Sequence, residues 1–196
     1  MKILLTGLMA SASLTLGACQ TMDDGGMSAS ADASAEVTTV GGAAMYPNRT
    51  IVANAVNSPI HRTLVAAVTQ AGLVDTLNSA GPFTVFAPTD EAFGRVPAAT
   101  RTALMTDAMK PALTKVLTYH VVPGRITAAD IAARIRSGNG RATYTTVAGE
   151  ALTFTMMGGQ VMIMGMGGSS AHVTQADVMQ SNGVIHVIDG VLLPSM

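Results

Sequence analysis

Cys19 is the only cysteine of the chain, so no internal disulfide can staple the fold. Long apolar runs are scarce too. The most apolar stretch, Ile3–Leu16, is broken by Thr6, Ser11, Ser13 and Thr15. It falls short of the ~20 residues a spanning helix needs. Charge of one sign is also lacking: 11 Lys and Arg stand against 12 Asp and Glu, a formal net charge of −1. That balance leaves no electrostatic footprint for nucleic acid. Catalytic signatures are missing as well: no HExxH, no Ser-His-Asp order, no paired cysteines and no phosphate-cradling glycine loop. Gly165–Gly168 lies between strand-like segments instead of opening a helix. No segment repeats, so one copy of a single domain is expected.

What is present begins with an address. Lys2, the apolar Ile3–Leu16 and the small-residue exit Leu16-Gly17-Ala18 read as a secretory signal over residues 1–18. Leu16-Gly17-Ala18-Cys19 resembles the bacterial lipobox, which implies acylation of the Cys19 thiol and cleavage just before it. Stable anchoring takes more than one acyl chain, and a multiply acylated cysteine meets that condition. Gln20, a non-aspartate, implies sorting to the outer membrane by the same resemblance. The membrane is thus an expected partner, and an exported, lipid-anchored envelope protein the expected location. Residues 19–46, rich in Ser, Ala, Gly and Asp, bury too little apolar surface to offset their ordering entropy. They are expected to form a flexible tether spanning on the order of 25–30 Å. Residues 47–196 then make one domain with a sizeable core.

Within the domain the apolar period changes along the chain. Ser58-Pro59 is expected to open a helix, with Ser58 as N-cap. Ile60, Leu64, Ala67, Val68 and Ala71 continue it at helical spacing to Gly72. Leu73–Leu77 suggests a short second helix, Phe83–Ala87 a strand, and Thr89 the cap of a turn led by Asp90 and Glu91. Ala98–Met105 and Met109–Tyr119 are helical. Thr127-Ala128-Ala129-Asp130 has capping-box spacing with Asp in the usual Glu position. Beyond Gly140 the pattern becomes strands: Ala142–Val147, Leu152–Met157, Gln160–Met164, His172–Thr174 and Val184–Leu193. Gly158-Gly159 marks a two-residue hairpin. A helical half feeding a β-rich half indicates α+β.

Among groups that could carry chemistry, His120 shares a helical face with Leu113, Val116 and Leu117, so it reads as a packed, hydrogen-bonded core residue. His186 alternates with Val184 and Ile188 and reads the same way. His61 is expected at the surface. Arg125, Arg134, Arg136 and Arg141 form a possible basic patch for an anionic polysaccharide, lipid headgroup or acidic protein. Met162, Met164 and Met166 alternate at strand spacing near His172. Their thioethers suit Cu(I), whereas methionine also serves as an adaptable apolar filler.

Three stretches carry a resemblance that covers roughly residues 50–194. They are Gly81–Phe93 (GPFTVFAPTDEAF), Tyr119–Gly124 (YHVVPG) and Ser181–Pro194 (SNGVIHVIDGVLLP), which occur in this order in the fasciclin-like (FAS1) family. The resemblance implies an α+β fold of wedged β-sheets flanked by helices. It also implies adhesion to a protein or polysaccharide surface, no enzymatic activity and no cofactor. Tyr119, His120, Asn182, Gly183 and His186 fall in its structural motifs, Asn182-Gly183 being expected to turn with positive φ. Asp177-Val178 matches the place of an Asp-Ile pair implicated in partner binding, with Val in place of Ile. A soft-metal protein and a hydrolase are the alternatives to an adhesin.

Overall fold

The computed structural model describes residues 37–195. The signal at 1–18, Cys19 and the tether up to residue 36 lie outside the described residues. In chain order the elements are β1 (Thr38–Val40), β2 (Ala43–Met45), α1 (Ile51–Ala55), α2 (Arg62–Ala71), α3 (Val74–Asn78) and β3 (Phe83–Pro88). Next come α4 (Asp90–Gly94), α5 (Ala98–Leu104), α6 (Lys110–Tyr119), β4 (Val121–Pro123) and α7 (Ala128–Ser137). The chain ends with β5 (Arg141–Thr145), β6 (Ala151–Met157), β7 (Gln160–Met164), β8 (Ser170–Gln180) and β9 (Gly183–Ile188).

β1 and β2 pair as a small hairpin, and the other strands form one sheet in the order β4-β3-β9-β8-β7-β6-β5. β3 and β9 run parallel from Phe83↔Gly183 to Pro88↔Ile188, so two of the telling motifs lie side by side at the centre. The sheet curls. Val147 N–H donates to the Val121 carbonyl at 2.8 Å, drawing the chain beyond β5 onto β4 and giving the wedge its barrel-like closure.

Both faces of the central strands are covered, which is why β3 and β9 read as nearly unbroken apolar runs. Val85, Ala87, Ile185 and Val187 face a core shared with Leu64 and Val68 of α2 and Leu113 and Leu117 of α6. Phe86 and Ile188 face the second core, inside the wedge, with Tyr119, Phe154 and Leu192. α7 plugs that core through Ile131 and Ile135, which are 1% and 2% exposed. Its start has the expected capping box, Thr127 and Asp130 bonding each other's backbone. Gly158 and Gly159 turn the β6–β7 hairpin at φ 59° and 83°, a conformation that favours glycine at both positions.

Several expectations are corrected. The tether does not extend to residue 46, because β1 and β2 already belong to the fold and bury Val40 and Met45. Alternation over three residues is too short to distinguish such strands from a Ser/Ala/Gly linker. Ser58 does not cap α2. The first amides of that helix, Arg62 N–H and Thr63 N–H, donate instead to the Asp90 carboxylate at 3.3 and 2.7 Å. The cap comes from α4, across the fold. Burial works to raise the Asp90 carboxyl, but the Thr63 and Arg62 bonds outweigh it and hold it low. His61 is buried at 3% exposure, its Nδ1 satisfied by Ser58 Oγ at 2.7 Å. The last strand stops at Ile188, where β3 also ends. Val191 and Leu192 are buried beyond it without strand pairing.

Candidate functional site

The end of α6 places two adjacent side chains at a three-way junction. Tyr119 is fully buried; its hydroxyl donates to the Ala151 carbonyl at 3.0 Å and accepts from Met166 N–H at 2.8 Å. It thereby ties α6 to β6 and to the turn after β7. His120 Nε2 accepts from Leu192 N–H at 3.0 Å, which fixes the proton on Nδ1, where it is donated to the Val116 carbonyl at 2.8 Å. Burial drops the His120 pKa to about 4. The imidazole is neutral near pH 7 and both of its nitrogens are occupied.

At the start of β9, Asn182 does similar work. Its Oδ1 accepts from Ile51 N–H, the first amide of α1, at 3.0 Å. Its Nδ2 donates to the Leu77 and Ser79 carbonyls at 2.7 and 3.1 Å. One side chain thus joins the start of α1, the end of α3 and the central sheet. Neighbouring Asn54 and Gln180 bond each other within the same buried network. No left-handed turn is found at Gly183, contrary to expectation. It is a strand residue at which an added β-carbon would sit 2.0 Å from the Phe83 carbonyl oxygen.

His186 stacks on Phe86 with ring centroids 5.4 Å apart. Its Nδ1 accepts from Asp177 N–H at 3.3 Å, so Nε2–H donates to the Ile126 carbonyl at 2.9 Å. Burial holds this imidazole below its ordinary pKa as well. Asp177 lies in a bulge of β8 with φ 57°, a left-handed conformation that Asp tolerates. Its carboxylate accepts from Ala128 N–H at 2.8 Å, capping the first turn of α7. Asp177 is half-buried. Val178 is fully buried in the helix-covered core, so it presents no surface to a partner.

The four arginines do not form one patch. Arg125 donates to the Gln180 carbonyl at 3.4 Å, and the Arg134 guanidinium sits 4.7 Å over the Tyr144 ring. Arg141 and Tyr144, an odd number of residues apart on β5, point to opposite faces. Arg136 is exposed.

The methionine row is also shorter than its spacing suggests. β7 ends at Met164, and Met166 lies in the following turn at 63% exposure. Met162 and Met164 do share the face of β7 turned away from the wedge core. Directly opposite Met162 stands His172 of β8. His172 Nδ1 lies 3.6 Å from the Asp189 carboxylate, which also accepts from His172 N–H at 2.7 Å. Among the described residues no group of three His, Cys, Asp or Glu could hold a metal.

The Ser58–His61 hydrogen bond was not expected from the sequence. Ser58 is 2% exposed and its partner is only three residues away, a local buried turn with no substrate access.

The chain resembles known proteins over most of its length. The fasciclin domain model matches residues 59–194. Protein sll1483 of Synechocystis sp. is 50% identical over 147 residues, 75% of this chain and 74% of that protein. Cell surface glycolipoprotein MPB83 of Mycobacterium bovis is 34% identical over 161 residues, covering 80% of this chain and 64% of that one. Among solved structures, a FAS1 domain pair from the insect cell adhesion molecule Fasciclin I superposes with a TM-score of 0.65 at 21% identity. That match covers 74% of this chain and 51% of the pair, about half of its length.

Proposed function

This chain belongs to the fasciclin domain family, and we propose that it is a non-enzymatic, lipid-anchored envelope protein whose fasciclin domain mediates adhesion to a protein or polysaccharide surface. The observation that carries this reading is its likeness, over most of its length, to proteins named for the cell surface and for cell adhesion. The interior supports it. His120, His186 and Asn182 spend their polar atoms on backbone groups of the fold, which suits a rigid scaffold presenting its exterior. Half-exposed Asp177 is the proposed contact residue, acting without Val178. Cys19 is the proposed anchor, with the outer membrane as its destination. Deleting the gene should weaken cell–cell or cell–surface attachment, and a Cys19→Ser chain should fail to restore it. Full rescue by that unanchored chain would remove the tethered-adhesin reading.

A second reading has one observation in its favour. Met162 and His172 are cross-strand neighbours, Met164 lies diagonally on the same face, and Asp189 stands behind the imidazole. A carboxylate behind a histidine orients the ring and leaves the far nitrogen to a metal. Two thioethers with one imidazole are a soft donor set suited to Cu(I). Cu(I) titration of the chain against a Met162→Leu/Met164→Leu/His172→Ala variant tests it. Equal uptake by both would end it.

A further inference from the structure

We infer that the apolar cavity beneath the helices binds the alkyl tail of a single-tailed amphiphile. The cavity lies between α1, α2, α3, α6 and β3 and has a volume of about 170 Å³. Leu64, Val68, Leu77 and Val85 form its inner wall. It is at least as large as the ~150 Å³ engineered cavity that stays dry and takes up benzene. A void of this kind destabilises a fold in proportion to its volume, so an apolar occupant is favoured.

The wall selects the ligand by what it cannot offer. No charged residue lines the cavity. Thr69 and Thr118 give their hydroxyls to the Val65 and Thr114 carbonyls one helical turn back, and the remaining lining hydroxyl, that of Thr76, belongs to a solvent-exposed residue. Both His120 nitrogens are taken by Val116 and Leu192. Among the described residues the one buried side-chain polar atom without a partner is His61 Nε2, and His61 does not line this cavity. A peptide or a sugar would therefore bring polar groups that go unpaired, at a large cost. A hydrocarbon tail brings none.

The entrance fits the same ligand. Val56 and Val147, 60% and 46% exposed, are lining residues that open to solvent. They provide an apolar passage for the tail, with the head group left in water. By the benzene comparison the interior seats about six carbons. The source proposed is an amphiphile from outside the chain. An N-terminal anchor needs more than one acyl chain in the bilayer, and withdrawing one would loosen it. This site is separate from the Asp177 and Met162 surfaces and does not depend on the adhesion reading.

The test uses the full chain carrying Cys19→Ser, titrated with the normal alcohols from butanol to decanol and followed by the methyl NMR signals of the lining valines. Binding should be saturable, tighten about fourfold per added CH₂, and level off once the interior is full. Val65→Phe and Val74→Phe, which fill the cavity from two different helices, should each weaken hexanol binding at least tenfold. Non-saturable shifts, affinity independent of tail length, or filled variants that bind like their parent would each overturn the inference. Should both variants misfold, the length series on the parent decides alone. The wild-type chain purified from membranes should also take up hexanol. If it refuses while the Cys19→Ser chain accepts, the outside source is overturned and the cavity belongs to the chain's own N-terminal lipid.

Discussion

Gly183 faces Phe83 across the parallel β3–β9 pair, and a β-carbon at Gly183 would stand 2.0 Å from the Phe83 carbonyl oxygen. Glycine is required there by close approach of two backbones, not by a left-handed φ. Gly183→Ala must push apart the central strands and should cost about 3 kcal/mol or more, at the upper end for overpacking. Gly158 provides the contrast, with φ 59° and nothing within 4 Å of a β-carbon. Gly158→Ala should cost only about 1 kcal/mol, from backbone strain. Urea unfolding of both variants checks the order; equal losses would place the Gly183 effect in the turn instead of the strand contact.

Asn182→Leu leaves Ile51 N–H and the Leu77 carbonyl without their side-chain partner inside the fold. Each stranded group costs about 1–3 kcal/mol, so a loss on the order of 3 kcal/mol is expected. Asn182→Asp should do no better, because a carboxylate keeps the acceptor but repels two carbonyls. The readout is a lower urea midpoint with an unchanged slope.

Three buried imidazoles give the fold an acid sensitivity of predictable sign. Burial lowers the pKa of His61, His120 and His186, that of His120 to about 4. Between about 4 and 6.5 the unfolded chain binds more protons than the folded one, so stability rises with pH through that window. It is complete above 6.5 and declines as pH falls. Asp90, Asp130 and Glu150 are held below their ordinary carboxyl values, so what they contribute is lost only as pH drops below about 4.5. The slope from pH 6.5 to 4.5 therefore belongs to histidine. His120 by itself accounts for a change on the order of 3 kcal/mol over its full window. His120→Asn should be less stable at neutral pH yet flatter across the window, measured by urea midpoints at stepped pH. A parallel slope would relieve His120 of that role.

Asp177 allows structure and contact to be separated. Asp177→Ala loses the cap on Ala128 N–H and adds strain at φ 57°, and should cost about 1–2 kcal/mol. Asp177→Asn keeps an acceptor oxygen and tolerates the same backbone, so its thermal midpoint should match wild type within a few degrees. If the carboxylate meets a cationic partner, the Asn variant should lose attachment while folding normally. Unchanged attachment would reduce Asp177 to a helix cap.

Much of the helical half, and the β6–β7 hairpin, was legible because their signals are local. The face carrying Leu113, Val116, Leu117 and His120, the Thr127–Asp130 box and the paired glycines at 158 and 159 each lie within eight residues of chain. His120 and His186 could be placed in the interior from periodicity. Their partners could not, since Leu192 N–H is 72 residues from His120 and Ile126 O is 60 from His186. A separation of 27 and 28 residues likewise hid Asp90 as the cap of α2.

Periodicity, caps and turn residues, all short-range, determined by themselves that this chain forms an α+β domain with His120 and His186 in its interior. Only the tertiary structure decided that β3 and β9 lie parallel and touching, that Asn182 clasps two helices, that His172 faces Met162, and that the packed helices leave a space of about 170 Å³. Strand order and cavity shape arise from how the elements exclude water together. No window of residues short enough to read as a pattern contains that sum.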